Sequence, residues 1–194
     1  MSVFLPLVFI RVKRKGKSYF KKGENYVVVV NHNSLVDIPV SMPWVPGPNK
    51  TLAKVEMARI PLFGIIYKAG SILLDRGSAQ SRKRSTLEMQ ETLRMGLHLT
   101  LYPEGTRNKS KEVLQPFYEG AFASAIMAGK SVLPGVIFNT KKILPDAPKY
   151  WAWPHTIRFE FLPPIETEGM SLKDKTELTQ RVHQMMKEYI IANQ

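Results

Sequence analysis

The chain has 194 residues, enough for one domain with a sizeable core. It holds no cysteine, which excludes disulfides, thiolate metal sites and covalent acyl-cysteine chemistry. The formal net charge is +12, and much of it is gathered early: Arg11, Lys13, Arg14, Lys15, Lys17, Lys21 and Lys22 fall within twelve residues that contain no acid, a run that suits a polyanion.

Taken in chain order, residues 1–10 are almost wholly apolar. An apolar segment followed by a basic cluster is the pattern of a membrane anchor whose lysines face anionic headgroups. Ten residues fall short of the ~20 that a spanning helix needs. Residues 1–14 are therefore expected to be a short membrane-associating segment, lying in the interface or continuing a longer apolar stretch, with residues 15–194 as the folded domain. A core strand or helix is the other reading of residues 3–10. A signal peptide would carry its charge ahead of its apolar stretch.

Residues 26–30, rich in β-branched side chains, predict a buried strand. A short helix follows and is ended by Pro43, Pro46, Gly47 and Pro48. Residues 51–55 predict a strand, 61–68 an apolar segment of open type, and 70–74 another strand. Residues 80–95 read as a helix with Leu87 and Leu93 inward and Gly96 at its end. Then come a strand at 97–102, a helix at 121–128 stopped by Gly129, and a buried strand at 132–138. Residues 141–154, dominated by proline and aromatics, read as an irregular loop. Ile157, Phe159 and Phe161 alternate with polar neighbours and predict an edge strand before Pro163-Pro164. The last helix opens at Ser171, with Asp174 three residues on, and turns Leu178, Val182, Met185, Met186 and Tyr189 to the core. Its polar face carries mixed charge and not the basic band of a membrane-lying helix. Strands alternating with helices predict a single α/β domain with a mostly parallel or mixed central sheet flanked by helices.

The first chemical feature follows the strand at 26–30. Asn31-His32-Asn33-Ser34-Leu35-Val36-Asp37 sets an imidazole and a carboxylate five residues apart. Five residues turn an ideal helix by about 500°, about 140° from eclipsed, so the two cannot share one helical face. His32 then belongs to the strand-to-helix turn and Asp37 to the helix start, with Pro39 tolerated in the first turn. The carboxylate can reach back to one ring nitrogen while the other faces substrate. Taken alone, a helix cap and a turn residue look the same. Ser34 is too close to His32 in the chain to complete a Ser-His-Asp triad readily, so direct transfer is expected.

Three further segments carry residues that packing does not require: Lys54-Val55-Glu56, Asp75-Arg76-Gly77, and Pro103-Glu104-Gly105-Thr106-Arg107 just past a strand. In open α/β sheets ligands gather at the carboxyl ends of strands, where His32, Arg76 and residues 104–107 converge if their strands are parallel neighbours. Arg and Lys there suit a phosphate. Singly, each segment could equally be a surface ion pair, a solvated edge or a turn. The four histidines are scattered and no carboxylate cluster has ligand spacing, so no metal is expected. No recognition-helix or stacking-platform motif points to nucleic acid.

In order, His32 to Asp37, then residues 54–64, 70–76 and 103–107, then Val132-Leu133-Pro134, this pattern resembles the four-block signature of the 1-acylglycerol-3-phosphate acyltransferase family, over about residues 15–164. His-x4-Asp joined to Glu-Gly-Thr-Arg in this order makes the resemblance specific. It implies an O-acyltransferase that moves a fatty acyl group from a thioester, on acyl carrier protein or coenzyme A, to the sn-2 hydroxyl of 1-acyl-sn-glycerol 3-phosphate, giving phosphatidate. By the same matching, His32 is the general base, and Asp37 holds the imidazole in its tautomer and stabilises its charged form. Lys54, Arg76 and Arg107 grip the acceptor phosphate, with Glu104, Gly105 and Thr106 forming the loop of that substrate-binding site. Backbone N–H groups near the helix start are the candidates for an oxyanion. Gly64 and Gly70 suggest tight turns or close approach of backbone to substrate. No cofactor is implied beyond the thioester co-substrate. The expected partners are the bilayer, the lysophospholipid and the acyl carrier, at the cytoplasmic face of the inner (plasma) membrane.

The chain departs from the family pattern where Tyr118 follows Pro116-Phe117 in place of a basic residue, where Gly135 replaces an aliphatic one, and in its short apolar front. These departures keep two alternatives: an acyltransferase for another lysolipid, such as a lyso-aminolipid, or a non-catalytic module docking on anionic lipid. His98, His155 and His183 match nothing catalytic and read as structural or surface groups.

Overall fold

The computed structural model describes residues 10–59, 64, 70–145 and 154–194. Residues 1–9 of the apolar front, the segment expected at 61–68 apart from Gly64, and the centre of the loop expected at 141–154 lie outside the described residues.

Four successive valines form β2 (Val27–Val30), and all are buried. Side chains alternate across a strand, so Val27 and Val29 enter one core cluster while Val28 and Val30 enter the other. Such a strand has to be internal in a sheet covered on both faces. Among the described residues the sheet has seven strands in the order β1-β7-β6-β2-β5-β3-β4. These are β1 (Arg11–Lys15), β2, β3 (Asn49–Lys54), β4 (Ser71–Leu74), β5 (His98–Leu101), β6 (Val132–Phe138) and β7 (Thr156–Phe161). Strands β2 to β6 run parallel, β7 is antiparallel to β6, and β1 is parallel to β7. The expected mixed α/β sheet is thus present, with the ends of β2 and β5 side by side.

One face is covered by α2 (Ala79–Arg94), α3 (Gly120–Ala128) and α5 (Lys175–Asn193). They supply Met89, Leu93, Phe122, Ala125, Leu178, Val182 and Met186 to the larger cluster. On the other face α1 (Asp37–Trp44) brings Val40, and the short α4 (Thr140–Ile143) brings Ile143. Among the described residues no helix is long and apolar enough to cross a membrane. Ser171 and Asp174 form the expected capping box, which closes a 3-10 turn leading into α5.

Several expectations are corrected. The basic residues 11–14, assigned to the membrane-associating front, lie in β1, which pairs with β7. Its exposed cations suit an edge strand, because charge there discourages pairing with another chain. In consequence β7 is internal and not the edge. Leu87 points to solvent at 63% exposure, while Met89 and Leu93, four apart on one helical face, are buried. Pro43 lies inside the last turn of α1, which ends at Trp44 within the expected proline–glycine cluster. The start of the expected 141–154 loop is helical. Gly135 has a packing cause: a Cβ there would stand 3.1 Å from Phe159 Cε2 and 3.3 Å from Phe161 Cδ1, the rings that fill the smaller cluster.

Candidate active site

Strand β2 ends at Val30, but β6 continues past it to Phe138. Asn31 bridges the gap with its side chain. Its amide nitrogen donates to the Ile137 carbonyl at 3.1 Å and its amide oxygen accepts the Ile137 N–H at 2.7 Å. A buried side chain thereby replaces the next rung of the ladder and frees the backbone of the following residue to turn out of the sheet.

That residue is His32, and its backbone is held on the other side, beyond β5. Its N–H donates to Glu104 Oε1 at 2.7 Å, and its carbonyl accepts the Asn108 N–H at 2.6 Å. Residues 104–108, which include Gly105, Thr106 and Arg107, are therefore clamped to His32 at both ends. The second oxygen of Glu104 accepts the Gln115 N–H at 3.0 Å. Glu104 is 2% exposed, and burial pushes its carboxyl above the usual carboxylate range against the pull of those two N–H donors. Both oxygens of Glu104 are engaged by backbone, so its observed contacts organise the loop.

The imidazole meets Asp37 at the first residue of α1: Nδ1 and Oδ2 are 2.8 Å apart. The same oxygen accepts the N–H groups of Asn33 at 2.5 Å and Ser34 at 2.7 Å. Asp37 is fully buried, and Oδ1 has no hydrogen-bond partner among the described residues. Among the described residues, the donors holding this carboxylate thus all come from residues 32–34. A carboxylate accepts, so Nδ1 carries the hydrogen and the lone pair of neutral His32 lies on Nε2. The Tyr102 ring packs on the imidazole at 4.5 Å between centroids, and its hydroxyl is hydrogen-bonded to Ser41, one helical turn after Asp37. Carboxylate and aromatic ring together fix the plane of the base.

Backbone N–H groups near the helix start were expected to be available to an oxyanion. Those of Asn33 and Ser34 are committed to Asp37, and that of Asp37 to the Ser34 carbonyl. The Ser34 hydroxyl donates to the Leu144 carbonyl at 2.9 Å, which ties the turn to the opposite loop.

Of the expected phosphate ligands, exposed Arg76 follows β4 and reaches the 104–107 loop. A Cβ built on Gly105 would stand 2.9 Å from Arg76 Nη1. Gly105 adopts φ 70°, a left-handed conformation that side chains strain to reach, and this turn admits the neighbour. Exposed Lys54 ends β3, Thr106 is exposed, and Arg107 is half-buried in the same loop. Gly64 packs against this chain's own backbone and not a substrate: a Cβ there would lie 2.3 Å from the Ala58 carbonyl oxygen. Asn31 and Tyr102 had no role assigned from sequence. A polar residue directly after four valines, and an aromatic directly before Pro103-Glu104, were the signals for them.

This arrangement, a mostly parallel α/β sheet with a carboxylate-oriented imidazole and a loop carrying cationic side chains at the carboxyl end of its parallel strands, has a family match. Residues 11–138 match the acyltransferase family model, and the chain belongs to that family. It is 30% identical over 179 residues to the 1-acyl-sn-glycerol-3-phosphate acyltransferase alpha of Mus musculus, covering 91% of this chain and 62% of that one. It is 27% identical over 191 residues to the 1-acyl-sn-glycerol-3-phosphate acyltransferase of Haemophilus influenzae, covering 95% and 76%. The crystal structure of the 1-acyl-sn-glycerophosphate (LPA) acyltransferase PlsC from Thermotoga maritima superposes with a TM-score of 0.82 at 25% identity, over 98% of this chain and 75% of that one. The chain spans about three fifths of the length of the mammalian relatives it matches.

Proposed function

We propose that this protein transfers a fatty acyl group from an acyl thioester, of acyl carrier protein or coenzyme A, to the sn-2 hydroxyl of 1-acyl-sn-glycerol 3-phosphate, giving phosphatidate and a free thiol. The observation that carries the proposal is the 2.8 Å contact between His32 Nδ1 and Asp37 Oδ2, which presents the Nε2 lone pair beside a cationic loop. Nε2 takes the proton of the acceptor hydroxyl as its oxygen attacks the thioester carbonyl. The tetrahedral intermediate collapses, the C–S bond breaks, and the thiolate recovers the proton from His32. Lys54, Arg76 and Arg107 supply the charge that holds the headgroup phosphate, and Glu104, Gly105 and Thr106 shape that loop. No acyl-enzyme forms on this route.

The apolar residues 1–9 and the exposed cations of β1 associate with the bilayer at the cytoplasmic membrane face, where lysophospholipid is presented. Parallel assays with an acyl thioester and a panel of lysolipids test the reading through thiol release. The fastest release is expected with lysophosphatidate, and His32→Ala is expected to lose about a thousandfold in rate, within the range for general acid–base catalysis. A faster lyso-aminolipid would replace the acceptor. Wild type and variant equally inert, while both bind anionic vesicles, would replace the enzyme by a binding module.

A further inference from the structure

Where the family pattern sets a basic residue, this chain has Tyr118, and the fold fixes its position from both sides. Its N–H donates to the Pro103 carbonyl at 2.8 Å, directly ahead of Glu104. The next residue, Glu119, turns away to α5, where it accepts from Lys175 Nζ at 3.0 Å and the Thr176 hydroxyl at 2.7 Å. The Tyr118 ring is left lying across Gly105: a Cβ there would be 2.7 Å from Cε2 and 2.8 Å from Cδ2. The Arg76 guanidinium carbon lies 5.7 Å from the ring centroid, within the range of a cation–π contact. Tyr118 is 66% exposed, so it is not buried in the core. Its defined contacts are with the loop and the arginine.

We propose that Tyr118 is a specificity-determining residue of the acceptor site. It holds the Arg76 guanidinium against the 104–107 loop and walls one side of the headgroup cradle. The inference rests on the acceptor reading above. A phosphomonoester dianion gains more from a pre-positioned guanidinium fork than a phosphodiester does, and a wall beside the phosphate obstructs anything esterified to it. The chain therefore selects a bare phosphate with one arginine braced by a ring, in place of an added cation.

The test compares wild type, Tyr118→Ala and Tyr118→Phe in thiol-release assays with lysophosphatidate and with lysophosphatidylethanolamine. Tyr118→Ala should raise the KM for lysophosphatidate about five- to tenfold while kcat and the thioester KM stay within twofold. The kcat/KM preference for lysophosphatidate over the diester should fall about fivefold. Tyr118→Phe should keep the wild-type preference, because the ring and not the hydroxyl meets Gly105 and Arg76. A Tyr118→Ala preference within twofold of wild type overturns the inference and leaves the proposed function standing. A wild type that acylates neither lysolipid overturns both.

Discussion

Two histidines flank β2, and the contrast between its ends separates a chemical imidazole from a structural one. At the carboxyl end, His32 Nδ1 faces a buried carboxylate, which puts the hydrogen on Nδ1 and the lone pair on Nε2. At the amino end, His98 Nδ1 accepts the Tyr26 N–H at 3.1 Å, which demands the opposite tautomer, with the hydrogen on Nε2. His98 is stacked on Tyr26 and met edge-on by Phe20. It touches the turn before β3 so closely that a Cβ on Gly47 would lie 3.1 Å from Nε2. Both rings are packed; the partner at Nδ1 makes the difference. A carboxylate at Nδ1 leaves the ring's lone pair on Nε2, whereas a backbone N–H at Nδ1 consumes the lone pair in holding the sheet together.

The contrast can be broken at either end. Asp37→Asn removes the negative charge facing His32 and places an amide among three donors; the rate of thiol release should fall about a hundredfold. Asn31→Leu removes the substitute rung, so His32 loses its fixed height above the sheet. At least a tenfold loss in kcat is expected, with the acceptor KM within twofold. Circular dichroism and melting curves check that the variant is folded, and a loss matching only the folded fraction would reduce Asn31 to a stability role. Glu104→Gln sets an NH2 against one of two backbone N–H groups. Urea melts should show about 1–3 kcal/mol of lost stability, the cost of a buried donor left unpaired.

The smallest effect lies at the amino end and depends on pH. Burial, opposed by a hydrogen bond with Pro46, holds His98 below the ordinary histidine value, and burial does the same to His183. The unfolded chain takes up a proton near pH 6.5 while the folded chain resists it, so the unfolded state binds more protons. Stability must then fall as pH drops through that value, by at most about 1.4 kcal/mol per pH unit for each group. His98→Asn should be less stable than wild type at pH 7.5 yet lose less between pH 7.5 and 5.5, while its thiol-release rate at pH 7.5 stays within threefold. An unchanged slope would remove His98 from this role.

How much of this was legible in the sequence depended on whether local pattern or tertiary pairing decided each residue. The five-residue spacing of His32 and Asp37 already excluded a shared helical face, and the apolar runs located β2 and β6. The capping box at Ser171 is a local signal and was equally readable. By contrast, β1 is basic and lacks alternation; only its pairing with β7 makes it a strand, and that pairing also turned an expected edge into an internal strand. Leu87 and Leu93 are six residues apart, about 120° from eclipsed on a helix, so one had to face out, and the core chose the partner of Met89. Asn31, Tyr102 and Gly135 have meaning only beside Ile137, His32 and the Phe159–Phe161 rings, contacts that chain order does not display.

The central claim is that the two ends of β2 hold their imidazoles in opposite tautomers, and long-range proton–nitrogen correlation spectra of 15N-histidine-labelled protein measure it directly. In the neutral form, His32 should show a protonated Nδ1 and a lone-pair Nε2, and His98 the reverse. His32 found with its hydrogen on Nε2 would contradict the account, because no lone pair would then face the acceptor hydroxyl.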